Sequence, residues 1–132
     1  MRKTAILLAS AAALLAAPAT QAKPRLTGEE QLAKLLEGRV AGEPVSCISQ
    51  TSTREARIID KTAIVYDWGN VIYVNRPANP SDLDSDDIMV TRLHGSQLCS
   101  VDTVRLHERS GFFYNGFVSL GQFVPYRRVA RN

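Results

Sequence analysis

T-A-I-V-Y-D-W-G-N-V-I-Y-V-N-R-P, residues 62–77, decides the fold. Its β-branched and aromatic residues favour extended backbone on either side of Gly69-Asn70. A Gly-Asn pair at that place predicts a two-residue hairpin turn. In this register Tyr66 faces Tyr73 and Val65 faces Val74. Tyr66, Trp68, Val71 and Tyr73 then share one face, while Val65, Ile72 and Val74 share the other. Both faces are apolar, so the hairpin belongs at the centre of a sheet covered on both sides. Pro77 and Pro80 end it, because proline has no N–H to give to a ladder.

Working outward, 45–49, 56–60, 87–93, 98–107 and 116–124 are also rich in Val, Ile, Thr and aromatic residues and read as strands. Val104 and Leu106 alternate with Arg105, but Val101 falls out of phase, which predicts a bulge near residues 102–103. Upstream, T-G-E-E at 27–30 is a capping box with Thr27 as N-cap and Glu30 three residues later. Leu32, Leu35 and Leu36 follow at helical spacing, Glu30 and Lys34 form an i,i+4 pair, and Gly38 stands where a helix C′ glycine belongs. A helix of about ten residues is expected, too short to persist alone, so its leucine stripe must dock. The whole is mainly β: a small antiparallel barrel or roll with one short N-terminal helix, stapled by one disulfide.

The staple follows from the N-terminus. Arg2 and Lys3 precede an apolar run from Ala5 to Ala17 broken only by Ser10, then Pro18 and T-Q-A at 20–22. This is the plan of a secretory signal peptide cut after Ala22, with a cut after Ala19, following A-P-A at 17–19, as the competing site. The run is too short for a transmembrane anchor, which needs about 20 residues. Export to the periplasm or beyond is therefore expected. Residues 23–44 hold a leader and the helix, 45–126 the β domain, and 127–132 a basic tail. Outside the cytoplasm Cys47 and Cys99 are expected to pair, since two cysteines allow one connectivity. Such a bridge is worth about 4 kcal/mol in the loop-entropy account.

The formal charge of +3 over 132 residues suggests nucleic acid, but the leader carries part of it. Losing Arg2 and Lys3 leaves 14 basic against 13 acidic groups, and the excess sits in Arg127, Arg128 and Arg131. Three arginines are too few for nucleic-acid recognition, so that partner class is set aside. The tail is a solvated end or a contact for an anionic lipid or polymer.

Chemistry-bearing motifs are sparse. In S-D-L-D-S-D-D, residues 81–87, Asp82, Asp84 and Asp86 have the alternate spacing of the first calcium-loop ligands. Asp87 occupies the position of that loop's glycine and Leu93 that of its final glutamate. The segment reads as a solvated loop, with weak calcium binding as the alternative. G-F-V-S-L-G at 116–121 misses the G-x-S-x-G spacing by one residue. His94 and His107 are the candidate imidazole bases, each beside a strand. A zinc site from Cys47, Cys99, His94 and His107 lacks the paired short spacing. No cofactor is implied. G-F-F-Y-N-G at 111–116 has loop composition, and exposure of Phe112, Phe113 or Tyr114 there would make a partner contact, with Arg127 and Arg128 as further candidates.

Six blocks carry a resemblance: 38–49, 57–66, 72–77, 86–92, 96–102 and 116–126, among them G-R-V-A-G-E-P-V-S-C-I-S and S-Q-L-C-S-V-D. They resemble a family of small exported alphaproteobacterial proteins built on a domain of unknown function. The resemblance implies a periplasmic location and Cys47–Cys99 pairing, and it implies no activity, cofactor or catalytic residue. The expectation is a non-enzymatic binding or envelope-associated domain, inhibitor-like by scaffold analogy. The alternative is a small hydrolase or metal-dependent enzyme using His94 or His107.

Overall fold

The computed structural model describes residues 21–130. The signal-peptide reading of 1–22 lies almost wholly outside them. Thr27 caps helix α1 (Gly28–Leu35): its hydroxyl accepts from the Glu30 N–H, and Glu30 returns a bond to the Thr27 N–H. The helix is two residues shorter than expected. It ends at Leu36, and Gly38 turns the chain with φ +71°.

Ten strands follow. The first sheet contains β1 (Arg39–Ala41), β3 (Glu55–Ile59), β4 (Ala63–Asp67), β5 (Val71–Asn75) and β10 (Phe123–Arg128) in the order β1-β10-β5-β4-β3. A second pairs β2 (Cys47–Ser49) with β7 (Gln97–Cys99), and a third runs β6 (Ile88–Thr91), β8 (Thr103–His107), β9 (Tyr114–Ser119). All pairings are antiparallel. The sheets form an open roll rather than a closed barrel, and among the described residues β1, β3, β6 and β9 are edge strands of their sheets.

The central hairpin has the expected register, Tyr66 opposite Tyr73 and Val65 opposite Val74. Gly69 has φ +88° and Asn70 is not among the positive-φ residues, the pattern of a type II′ turn. Val65, Ile72 and Val74 pack with Ile59, Ala63 and the helix residue Leu32, with Leu35 and Leu36 against them. The leucine stripe thus docks on one face of the hairpin. Burying Leu32 contributes about 1.5–3 kcal/mol. The other face, Tyr66, Val71 and Tyr73, meets Ile48, Leu98, Val104, Leu106 and Val118 from the smaller sheets, together with Phe123 of β10. Burial raises the Tyr66 hydroxyl above the ordinary phenol range.

Cys47 stands directly opposite Cys99 in the β2–β7 ladder, and the two are disulfide-bonded. Beyond Cys99 the expected continuous strand is broken. Asp102 accepts from the Cys99 N–H through its carboxylate (2.7 Å) and donates its own N–H to the Cys99 carbonyl (3.0 Å). This turn, not a bulge, causes the change of parity at Val101. The register irregularity lies further on, between Leu106 and His107, where Gly116 and Tyr114 are their partners and Asn115 is the extra residue.

The expected strand 116–124 is likewise two strands, β9 and β10, and its break is held by two asparagines. Asn75, fully buried at the end of β5, donates from Nδ2 to the Gly121 carbonyl (2.6 Å) and accepts the Gly121 N–H at Oδ1 (3.0 Å). Asn79 does the same further back, donating to the Phe117 carbonyl (2.9 Å) and accepting from the Ser119 N–H (3.1 Å). Each side-chain amide stands in for a peptide unit. Gly121 allows the close approach, because a Cβ there would lie 2.6 Å from the Arg76 carbonyl oxygen.

Residues 127–128 correct the expected tail. Arg127 and Arg128 belong to β10, opposite Val40 and Arg39 of β1, with their side chains exposed. Arg131 lies outside the described residues.

Candidate functional site

The β8–β9 hairpin carries a concentration of exposed aromatic surface. Phe112 is 56% exposed, Phe113 70%, Tyr114 60% and Phe117 50%. The connection 108–113 is ordered by its own backbone: Glu108 N–H donates to the Phe113 carbonyl and Phe112 N–H to the Glu108 carbonyl, both at 2.8 Å. Phe112 adopts φ +57°, a left-handed conformation that costs an L-residue roughly 1–2 kcal/mol. His107 offsets this. Its ring stacks on Phe112 at 4.4 Å, lies edge-on to Tyr114 at 5.8 Å, and donates Nδ1–H to the Phe112 carbonyl at 3.2 Å. The imidazole therefore organises the tip.

The acidic loop is the other wall. A groove of about 640 Å³ runs between Asp84, Asp86 and Asp87 on one side and Glu108, Phe113 and Tyr114 on the other. Two bonds hold the walls together: Arg109 Nε donates to the Asp86 carbonyl (3.2 Å), and Asn115 Nδ2 donates to the Asp87 carboxylate (3.1 Å). Asp87 is 7% exposed. The bulge at Asn115 has a local purpose, since it turns that amide toward Asp87. Arg109 is the one cation lining the groove, against four carboxylates.

Asp82, Asp84 and Asp86 do not converge on a common point. Asp82 accepts from the Asn79 amide (2.7 Å) and Asp84 from the Asp86 N–H (2.9 Å), so two of the three carboxylates serve the turn. Among the described residues no three His, Cys, Asp or Glu side chains gather to hold a metal ion. His94 is apart from His107. Its side chain is 89% exposed, and Nδ1 lies 3.9 Å from Asp102 Oδ1, beyond hydrogen-bond distance. Arg127 and Arg128 lie on β10 and do not line the aromatic groove.

A larger depression of about 940 Å³ on the other side of the acidic loop has walls of both signs, Arg25 and Lys61 with Asp60 and Asp84. A third, of about 520 Å³, follows the seam between β3 and β6, floored by Ile58, Tyr66 and Met89. No helix among the described residues is long and apolar enough to cross a membrane.

Sequence reasoning placed the aromatics and the acids but not their adjacency. It did not single out Phe117 as a surface residue, although period-two alternation with Val118 and Leu120, both buried, puts it on the outer face. Comparison with protein-family models, with curated proteins and with solved structures found no match.

Proposed function

We propose that the chain is an exported, non-enzymatic binding domain of the cell envelope, of the kind its resemblance to small exported alphaproteobacterial proteins suggests, and that it engages a protein partner through the hairpin tip. The exposure of Phe112, Phe113, Tyr114 and Phe117 on one hairpin carries this reading. Large exposed aromatic clusters are uncommon on monomers and are the side chains that dominate interface energetics. The His107 stack supports it further, because a tip ordered before binding loses little conformational freedom on docking. The disulfide suits an oxidising compartment. His107 is engaged in ordering the tip and His94 stands exposed with its nearest carboxylate beyond hydrogen-bond distance, which favours binding over hydrolysis.

The test is affinity capture from periplasmic extract with the tagged mature chain, comparing it with Phe112→Ala/Phe113→Ala and with Phe113→Ala alone. The single variant removes a largely exposed ring and should leave the melting temperature unchanged. A partner held by the wild type should be lost from both, with affinity falling about 30-fold or more. An identical captured set for all three chains refutes the reading.

A further inference from the structure

The tip's surroundings specify the chemistry of what docks there, and this inference rests on the binding reading above. We infer that the occupant is a lysine- or arginine-bearing segment of a protein, lying with its apolar part on Phe113 and Tyr114 and its cationic ends in the groove beside them. The aromatic surface provides the area, and charge complementarity selects the partner. Asp84, Asp86, Asp87 and Glu108 line the groove with Arg109 alone opposing them, and Arg109 is engaged with the Asp86 carbonyl. The mature chain as a whole is close to neutral, so this concentration of negative charge is local. An acidic segment arriving at the tip would meet like charge, which disfavours it strongly at an interface. A basic one gains twice, since a cation above an exposed aromatic face is attracted by the ring as well as by the carboxylates.

The groove also has the right width of chemistry for a protein rather than a small amine. Asp84, Asp86 and Asp87 line the groove together with Glu108 and the rings of Phe113 and Tyr114. An extended segment with basic residues flanking an apolar one meets both carboxylates and rings. A polyamine offers no apolar side chain to the rings. The carboxylates are held by the fold rather than waiting to be ordered. Asp84 accepts from the Asp86 N–H, Glu108 from the Ser110 hydroxyl (2.7 Å), and Asp87 from Asn115.

The probe is a pentapeptide, G-K-L-K-G, blocked at both ends, titrated into isotopically labelled mature protein and followed by NMR. Its glutamate counterpart G-E-L-E-G and spermidine are run in parallel. The lysine peptide should shift amide signals of 84–87 and 108–115, bind about tenfold or more tightly than spermidine, and weaken as salt rises to about 0.3 M. The glutamate peptide should leave those signals in place. Asp84→Asn/Asp86→Asn/Glu108→Gln keeps the turn acceptors and should bind the lysine peptide at least about tenfold more weakly with an unchanged spectrum elsewhere. Equal response to both peptides, spermidine binding as tightly as the lysine peptide, or shifts outside the groove would each overturn the inference. The capture assay separates the two levels. A partner that Phe113→Ala loses but the neutralised triple variant retains leaves the binding tip standing and removes the basic-segment assignment.

Discussion

Replacing Asn75 is the sharpest perturbation of this fold. The side chain is fully buried and makes two hydrogen bonds to the Gly121 peptide groups, at 2.6 and 3.0 Å. Asn75→Ala removes both and leaves a buried N–H and C=O facing a space that the amide filled. Each bond is worth about 1 kcal/mol net, and each group left unpaired costs about 1–3 kcal/mol. Gly121 itself is only half-buried, so water reaches it in part and the lower end applies. The expected loss is about 2–4 kcal/mol, against a total that for such a domain is about 5–15 kcal/mol. At about 4 °C per kcal/mol this lowers Tm by roughly 8–16 °C. Asn75→Asp is more discriminating. It keeps the acceptor for Gly121 N–H, but at neutral pH its second oxygen, at a position where Asn75 is fully buried, confronts the Gly121 carbonyl. Its folded-state pKa must therefore rise above the unfolded value of about 4. The folded chain then holds its proton longer than the unfolded chain, so the variant's stability relative to wild type falls as pH rises through and above that value. Urea titrations at acid and neutral pH measure both effects. A loss below about 0.5 kcal/mol for Asn75→Ala, or a pH-independent deficit for Asn75→Asp, would show that the side-chain amide does not couple β5 to the β9–β10 connection.

Three further outcomes concern the disulfide and the seat of the helix. Reduction of Cys47–Cys99 should add about 2 Da to the intact mass, the two hydrogens taken up by one bridge. Cys47→Ser/Cys99→Ser should lose about 2–5 kcal/mol in urea unfolding, and a loss near zero would mean the β2–β7 ladder stands without its staple. Gly28→Ala places a methyl into the Thr62 side chain and the Asp60 carbonyl where α1 meets the β3–β4 turn. Overpacking should cost about 1–3 kcal/mol despite the better helix propensity of alanine, and a gain in stability would show that the helix shifts freely on the sheet.

The outcome at Gly28 shows where sequence reading stops. T-G-E-E announced a helix start through local side-chain chemistry, and the cap formed as expected. Why glycine precedes the two glutamates depends on the turn at Asp60–Thr62, more than thirty residues away, which no local pattern encodes. The central hairpin was legible for the opposite reason, since a two-residue turn and period-two apolar alternation fix register within one stretch. The break at Leu120–Gln122 was not legible, and the phase change at Val101 showed that the strand is interrupted near Asp102 but not that a turn interrupts it. In both, a side-chain carboxylate or amide takes the place of a peptide unit, so the composition still looks like strand while the ladder has ended. The candidate site divides the same way. Exposed rings at 112–114 could be read from a glycine-bounded aromatic loop. Their acidic neighbours, some twenty-five residues earlier, come beside them only through the pairing of β6 with β8 and of β8 with β9.

Asn79 has a consequence for how the protein lives in company. β9 is the outer strand of its sheet and carries the aromatic surface, the combination that most readily recruits a strand from a neighbouring molecule. Asn79 occupies the Phe117 carbonyl and the Ser119 N–H, and Ala78 N–H donates to the Ser119 carbonyl at 2.9 Å. A single residue with its neighbour thus terminates the ladder without offering a new edge behind it. At this end of β9 the rings stay exposed while the Phe117 carbonyl and the Ser119 N–H and carbonyl are already bonded within the chain, so side chains remain free where strand addition is blocked.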